Sequence, residues 1–527
     1  MSSRRDSPNV LRFGRFRTRS LLVVLLALSA TVPCILGPAC GAFNTGFYDL
    51  GVTTGGVQDI AYARRVIEDG GIPSPDSITV EGLLSEHSIE MEVPPDPDSL
   101  FTAATVAWND DFDTLTPLAT VQVGFGTTIN SETFRRQPLN LCLVIDRSGS
   151  MDYVMDERTR TRKIDAVKIA IDRLLAQLNR DDIVSVVSFA RFSKIELDAM
   201  LGNDTQAVKH ALDDIEAEGA TNVIRGMSRG YKLVKENSTA RRASRIIVFT
   251  DAQVTSGTDE SKDFIKLMEN YADDEIGATI FGVGIDFDDQ LAYDIAQVRG
   301  GNLYYLNDYD RMIQVFDEEF DFLVTPVAYD VRLAASIPFT LDVADAYGLP
   351  DIDTNTHLLE LTVPTLFLSK REGGGAIMIR LRPGAMVDFD EPIELATLEL
   401  SYQPIKGNAV ETVLDITLPA GLDPDAAERY FQTDGTRRGV LLLNTSLVLK
   451  NACEDAYGGY DDYTYYYRWP SDEDYGRAIA RLTEFLPYFD ALAEGLEDQP
   501  SPTSRSLSQE RALIEALIEN IENERSW

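Results

Sequence analysis

The chain has 527 residues and a formal net charge of −37. That length allows about three or four domains, and so negative a balance argues against nucleic acid, whose phosphates need a basic surface. Only three histidines occur, far apart at His87, His210 and His357, which argues against histidine-based catalysis and against a histidine-rich metal site. No Gly-x-x-x-x-Gly-Lys-Ser/Thr stretch is present, so a P-loop nucleotide site is not supported.

Residues 1–39 are predicted to be a signal peptide. A basic region rich in arginine precedes an apolar run at residues 21–32, which is too short for a membrane span. The next stretch, Leu-Gly-Pro-Ala-Cys-Gly at residues 36–41, resembles a bacterial lipoprotein cleavage box and predicts lipid attachment at Cys40. Ordinary cleavage near Ala42 is the alternative. We therefore expect an exported protein of the bacterial cell envelope, either lipid-anchored or periplasmic or extracellular.

Residues 40–99 are predicted to be a Gly-rich tether followed by a short helical segment at residues 60–68. Residues 100–137 alternate between apolar and polar side chains, as in Thr105-Val106-Ala107-Trp108, which is typical of strands with one covered face. Because these strands precede a domain of a different kind, we expect them to belong to a separate β unit.

Residues 141–145 form an apolar run that predicts a buried strand of a parallel sheet. The run ends on Asp146, and two hydroxyls follow at Ser148 and Ser150. Ligand sites in open α/β sheets lie at the carboxyl ends of strands, and an oxygen-only set of donors suits Mg²⁺ or Mn²⁺. Taken alone, so short a pattern is more typical of an ordinary loop.

Two later stretches favour a metal site over an ordinary loop. Thr221 follows Glu-Gly-Ala in a loop, and Asp251 ends a second apolar strand. Asp-x-Ser-x-Ser, a loop Thr and a strand-end Asp, in that order, resemble the metal-ion-dependent adhesion site of the von Willebrand factor type A family. The resemblance implies five ligands of one divalent cation: Asp146, Ser148, Ser150, Thr221 and Asp251.

The same resemblance implies the identity of the ion and the kind of partner. The ion would be Mg²⁺, with Mn²⁺ or Ca²⁺ as alternatives, and the missing ligand would be an Asp or Glu carboxylate of another protein. Ala220 and Ala252 stand where the family usually has glycines. Neither change removes a ligand oxygen, although Ala252 would perturb the loop if a positive φ were needed there.

Residues 138–325 alternate between predicted strands and helices, which indicates a doubly wound, mostly parallel sheet covered on both faces. The insert at residues 152–162 is interpreted as a solvated loop, or alternatively as a rim for partner recognition. Asp286, Asp288 and Asp289 are interpreted as caps of the following helix rather than as a second cation site.

Residues 326–422 change to a period of two and predict a β-sandwich-like domain. We expect the strands of residues 100–137 to join it, with the type A domain inserted between them. Residues 423–527 are predicted to be helical, with a Tyr-rich stretch at residues 457–469 that either packs the helices or forms a recognition loop. Cys142 is interpreted as a small buried residue, and a disulfide to Cys453 is left open.

The segment ahead of the strands carries a second resemblance. Arg64-x-x-Ile67, then Gly70-x-x-Pro73-x-Pro75, is similar to the segment preceding the type A domain in exported bacterial type A proteins. A helix ended by Gly-Gly and a Pro-rich turn is a sufficient physical account of the same residues.

These observations predict an exported, membrane-anchored protein that captures a partner carboxylate through Mg²⁺. The alternative is a structural or assembly scaffold of the cell envelope. No stretch couples a nucleophile to a base, so an enzyme is not expected. The large negative charge is expected to repel an acidic partner at low ionic strength.

Overall fold

A computed structural model describes most of the chain after residue 50. The described residues are 51–53, 60–90, 94, 99–129, 134–156, 158–252, 259–284, 291, 294–295, 297–306, 309–349, 353–369, 376–405, 407–424, 426, 429–458, 460–461, 466–467, 470–498 and 504–526. The predicted signal peptide, Cys40 and the acidic run Asp286, Asp288 and Asp289 lie outside these residues. Within the described part, no helix is both long enough and apolar enough to cross a membrane.

The strands and helices of the described residues are numbered in chain order. The strands are β1 Gly51–Thr53, β2 Leu100–Asp110, β3 Pro117–Thr127, β4 Leu139–Asp146, β5 Val154–Asp156, β6 Thr161–Arg162, β7 Ile183–Phe189, β8 Ser193–Leu201, β9 Ala243–Thr250, β10 Ile276–Val283, β11 Gly301–Leu306, β12 Pro326–Ser336, β13 Leu341–Tyr347, β14 Leu358–Ser369, β15 Ile377–Pro383, β16 Ile393–Pro404, β17 Val410–Leu418, β18 Tyr430–Phe431, β19 Tyr460–Asp461 and β20 Tyr466–Tyr467. The helices are α1 Ala61–Glu68, α2 Val80–Ser85, α3 Lys163–Ala176, α4 Thr205–Asp213, α5 Val223–Glu236, α6 Asp259–Ala272, α7 Tyr309–Gln314, α8 Phe320–Leu323, α9 Asp434–Ala456, α10 Asp472–Ala493 and α11 Leu507–Arg525. A π-helical turn, Val315–Glu319, joins α7 to α8.

A sheet in the order β11-β10-β9-β4-β7-β8 forms the centre of residues 138–325. All neighbours are parallel except β8, which is antiparallel to β7 at one edge. Leu141 and Leu143 pack on one face with α3, α4 and the π-helical turn, whereas Cys142 and Val144 pack on the other with α5 and α6. Because both faces are covered, every residue of β4 is buried, which is why its sequence is a continuous apolar run.

A second sheet joins strands from both sides of this domain. Its order is β13-β15-β3-β1-β14-β12-β16-β17, and β2 pairs with β3 and with β18. β3, which precedes the first domain, is hydrogen-bonded to β15, which follows it. β17 at one end of the order also contacts β2, and strands from before and after the inserted domain share one apolar core. The predicted fold class, an α/β domain combined with a β-sandwich-like unit and a helical C-terminal region, is confirmed.

The predicted tether includes a strand. Gly51–Thr53 pairs with both β14 and β3, so this part of the chain is a member of the second sheet rather than a free linker. This strand was not predicted from the sequence, because three residues are too few to show an alternating pattern.

The C-terminal helices enclose a third apolar core together with residues 60–90. Side chains of α1 and α2 pack there with those of α9, α10 and α11. Tyr457 donates a hydrogen bond to the carbonyl of Ile72 at 3.1 Å, which joins the same two regions. β19 and β20 pair as a small hairpin, and the side chains of residues 459–469 lie outside the description. Cys453 lies in this core and Cys142 in the first sheet, and both are free thiols.

A buried charge cluster holds residues 60–90 against α11. Arg64 lies 2.5 Å from Glu86 and 2.7 Å from Glu510, and His87 Nε2 lies 3.0 Å from the Glu510 carboxylate. The side chains of His87 and Glu510 are both fully buried. The contact between His87 and Glu510 joins residues 423 positions apart in the chain, so it stabilises the fold only once both regions are in place.

A second charge cluster holds the two ends of the inserted domain. Arg136, just ahead of β4, donates two hydrogen bonds to Asp182, at 2.9 and 2.7 Å. It also pairs with Asp321 in α8, the last helix of the domain. The guanidinium of Arg136 therefore joins the entering and the departing chain at the amino-terminal edge of β7, opposite the predicted ligand site.

Candidate metal centre

Four of the five predicted ligands lie at or just beyond the carboxyl ends of two adjacent strands. Asp146 is the last residue of β4, and Asp251 directly follows β9. The two strands are parallel neighbours, so both carboxylates reach the same edge of the sheet. Ser148 and Ser150 follow β4 at the start of a short 3₁₀ turn, Gly149–Asp152.

Four of the five predicted ligands form one hydrogen-bonded group. The Ser148 and Ser150 hydroxyl oxygens lie 3.1 Å apart, and the Ser150 hydroxyl donates to Asp251 Oδ1 at 2.7 Å. The backbone N–H of Ser148 donates to Asp146 Oδ1 at 2.8 Å. The turn after β4 thus places the hydroxyls of Ser148 and Ser150 between the carboxylates of Asp146 and Asp251.

Thr221 occupies a different environment. Thr221 is exposed, and among the described residues no hydrogen bond joins its side chain to the other four predicted ligands. The loop that carries it is held against the 3₁₀ turn, because the N–H of Gly149 donates to the carbonyl of Gly219 at 2.9 Å. The following helix is capped by Asn222, whose side chain accepts from the N–H of Arg225 at 2.9 Å. Thr221 therefore lies on the rim of the group, on a loop that contacts it.

Asp146 is a buried carboxylate at the centre of the group. Asp146 is 0% exposed, and the hydroxyl of Thr250 donates a hydrogen bond to Oδ2 of Asp146 at 2.6 Å. Burial raises the pKa of Asp146, and the hydrogen bonds from Thr250 and Ser148 offset only part of that effect. A carboxylate removed from water in this way is stabilised by a nearby cation.

The positively charged side chain of Lys163 lies next to the carboxylate of Asp251. Lys163 Nζ donates to Asp251 Oδ2 at 2.9 Å, and the side chains of the two residues are 10% and 1% exposed. Lys163 was not among the predicted site residues, although it is the first residue of α3, where a positive charge opposes the helix dipole. That unfavourable position is a local indication that a carboxylate lies near the ammonium.

Thr250 is a second residue of the site that was not predicted from the sequence. It is 1% exposed, and besides its bond to Asp146 its oxygen accepts from the N–H of Ala252 at 3.0 Å. It orients the central carboxylate and holds the loop that follows β9. Its signal in the sequence was its place directly before the strand-end Asp251.

The donor set fits a hard divalent cation. The side-chain donors are two carboxylates and hydroxyls, with neither sulfur nor nitrogen, which is the chemistry that Mg²⁺ prefers over zinc or copper. Within the described part of the chain, no cluster of three or more His, Cys, Asp or Glu side chains is placed to hold a metal ion. A cation here would therefore depend on the serine hydroxyls as much as on the acids.

The insert beside the group forms a small hairpin from β5 and β6. Arg162 at its end pairs with Asp152 at 2.7 Å and with Asp165 at 2.7 Å. These ion pairs hold the base of the hairpin to the start of α3, and Tyr153 is exposed beside them.

Comparison with known proteins identifies the family of the domain that carries this edge. The family model of the von Willebrand factor type A domain matches residues 141–253, which contain all five predicted ligands. The uncharacterized protein YfbK of Escherichia coli (strain K12) is 25% identical over 296 residues, covering 54% of this chain and 48% of that protein. An uncharacterized protein of Synechocystis sp. is 28% identical over 186 residues, covering 35% of this chain and 42% of the other. The chain thus spans about half the length of the curated relatives it matches.

Among solved structures, a von Willebrand factor type A protein from Catenulispora acidiphila is similar over 82% of this chain and 97% of its own, with 15% sequence identity and a TM-score of 0.43. The sequence match covers β4 through the residues just after β9, the strands whose ends carry both carboxylates. This chain therefore contains a von Willebrand factor type A domain.

Proposed function

We propose that the protein binds a partner protein through a divalent cation, Mg²⁺ in the first place, held at the carboxyl edge of the type A domain. The observation that carries the proposal is the group of Asp146, Ser148, Ser150 and Asp251, which are joined by hydrogen bonds and largely buried. Thr221 would complete the set from the neighbouring loop. A cation bound by so few carboxylates keeps open positions, and a carboxylate from another protein can fill one of them.

The proposal assigns binding rather than a reaction. The residues of the group are hydrogen-bonded to one another and carry negative charge, an arrangement that suits the binding of a cation. Mg²⁺, when bound, would supply the attraction for a carboxylate, while Lys163 and Thr250 hold the two aspartates in place.

We further propose export through residues 1–39 and anchoring through lipid at Cys40.

Titration with Mg²⁺ tests the metal site directly. We expect isothermal calorimetry to detect one bound ion, and we expect Asp146→Ala and Asp251→Ala to abolish the signal because each removes a carboxylate ligand. At about a hundred times its dissociation constant, the ion should add roughly 2.7 kcal/mol to the stability of the native type A domain. Asp390→Ala, an exposed acid outside the domain, serves as the control and should bind like the wild type. Absence of heat and of stabilisation in the wild type would contradict the proposal.

Lys163 is expected to weaken cation binding. Its ammonium lies 2.9 Å from a carboxylate oxygen of Asp251, so a divalent ion at the site would be repelled by it. Lys163→Met should therefore bind Mg²⁺ about tenfold more tightly, the equivalent of ~1.4 kcal/mol, while the metal-free variant unfolds at a lower temperature. Lys168→Met on the same helix is the matched control. Unchanged or weaker Mg²⁺ affinity in the Lys163 variant would show that the lysine does not act on the ion.

A further inference from the structure

We propose that Arg191, Phe192 and Arg225 form a recognition surface beside the metal site for an extended acidic segment of the partner protein. The inference rests on the proposed function and deepens it, because it names the chemistry that flanks the metal-bound carboxylate. We call these three residues the arginine–phenylalanine surface.

The surface lies next to the metal site because of strand order. β7 is the parallel neighbour of β4, and its last residue, Phe189, stands opposite Asp146. The chain leaves β7 through Ala190, Arg191 and Phe192 in a tight turn, in which the N–H of Ala190 donates to the carbonyl of Phe192 at 3.0 Å. The turn therefore emerges at the same edge of the sheet as the aspartate.

Two close approaches bring the turn to the loop of Thr221. A Cβ placed on Gly219 would lie 3.8 Å from the Cβ of Ala190. A Cβ placed on Gly226, in the first turn of α5, would lie 2.4 Å from the Phe189 ring. Only glycine permits helix α5 to come so near, and that approach places Arg225 of the same helical turn beside Phe192.

The three side chains form an exposed group of their own. The guanidinium carbons of Arg191 and Arg225 each lie 5.7 Å from the centre of the Phe192 ring. Phe192 is 63% exposed, and both arginines are exposed as well. Two cations at this distance from one ring make favourable cation–π contacts, which keep an apolar side chain at the surface in a defined position.

The charges of the surface point to an acidic partner. Arg147, next to Asp146, is already paired with Glu218 at 2.6 Å. Arg191 and Arg225, in contrast, pair with no carboxylate among the described residues. On a chain with a net charge of −37, two uncompensated guanidiniums beside an exposed ring form a local site for carboxylates, and Arg and aromatic residues are the types enriched at binding hot spots.

The occupant that fits is a segment with several carboxylates rather than a single one. One carboxylate would reach the cation, and others would reach the guanidiniums next to the loop of Thr221. The general repulsion expected from the net charge is thus offset at the one edge where the partner must approach.

Binding of a fluorescein-labelled hexaglutamate peptide to the protein, measured by fluorescence anisotropy at low ionic strength with Mg²⁺ or with EDTA, tests the inference. We expect Arg191→Gln/Arg225→Gln to weaken binding about fivefold to tenfold in Mg²⁺, since each surface ion pair contributes modestly. The loss should shrink as salt is raised. Arg241→Gln is the matched control, because Arg241 is exposed just ahead of β9, at the opposite edge of the sheet.

The outcomes separate this inference from the proposed function. If Mg²⁺ strengthens binding but the double variant binds as tightly as the wild type, the surface assignment is overturned and the metal proposal stands. If binding is independent of Mg²⁺ but is lost in the double variant, the surface assignment stands and the metal proposal fails. No binding of the peptide to the wild type overturns the surface assignment. Sedimentation that shows dimers of the wild type, absent in the double variant, would identify a second copy of the chain as the occupant and would also overturn it.

Discussion

Asp182→Ala is expected to destabilise the type A domain by about 3–5 kcal/mol. The Asp182 carboxylate is 0% exposed and accepts two hydrogen bonds from Arg136, one from the N–H of Leu139 at 2.7 Å and one from the N–H of Asn179 at 2.6 Å. Its removal leaves the guanidinium of Arg136 buried without its main partner, although the pair with Asp321 remains. The cost is large because a buried charge that loses its partner cannot regain water.

Urea unfolding followed by the fluorescence and circular dichroism of the whole protein measures this effect. Asp181→Ala is the matched control, since Asp181 is the adjacent acid and is exposed; that change should alter the free energy of unfolding by less than about 0.5 kcal/mol. Mg²⁺ binding should survive in folded Asp182→Ala protein, because this cluster lies at the opposite edge of the sheet from the ligands. Equal midpoints for the two variants would show that Arg136 does not hold the ends of the domain together.

Glu510→Gln is expected to cost about 3 kcal/mol, the lower end of the range for breaking a buried ion pair. Glu510 is fully buried and faces both Arg64 and His87, while Glu86 remains as a second partner of Arg64. The loss should appear in the unfolding of the C-terminal helical region, where residues 60–90 would detach from α11. Glu515→Gln on the same helix removes an exposed partner of Arg511 and should change stability by less than about 1 kcal/mol.

The contribution of Glu510 should also depend on pH. Burial by itself would raise its pKa, but the hydrogen bond with His87 and the charge of Arg64 outweigh burial and hold the pKa below its ordinary value of 4.5. A carboxyl with a lowered pKa in the folded state stabilises the protein above the unfolded pKa, and this stabilisation is lost as the pH falls through the folded value. The difference in unfolding free energy between the wild type and Glu510→Gln should therefore be constant near neutral pH and narrow below about pH 4.5. A difference that stayed constant down to pH 3 would contradict the assigned charge state.

Local spacing predicted which donors lie at the ends of the strands, and the resemblance to the von Willebrand factor type A family implied that they form one site. Asp146, Ser148 and Ser150 lie within five residues of one another, so their relation depends only on how a strand ends and a turn begins. Asp251 was predictable for the same reason, because a continuous apolar run indicates a buried strand and a polar residue marks its end. The alternation of strands and helices likewise predicted the doubly wound sheet, since each element carries its own period of apolar residues.

The contacts that complete the site were decided by the tertiary structure. Lys163 contacts Asp251, 88 positions away in the chain, and Thr250 contacts Asp146, 104 positions away. Thr221 had the right residue type, yet the loop leaves it exposed at the rim. The arginine–phenylalanine surface exists only because β7 lies beside β4 and Gly226 lets α5 approach Phe189.

The sequence by itself determined which donors end which strands, because turn geometry and apolar periodicity act over a few residues. Only the tertiary structure decided which charges neutralise one another and which are left for a partner. The physical reason is that a charge becomes costly or useful according to its burial and its neighbours, and both are settled when distant segments pack together.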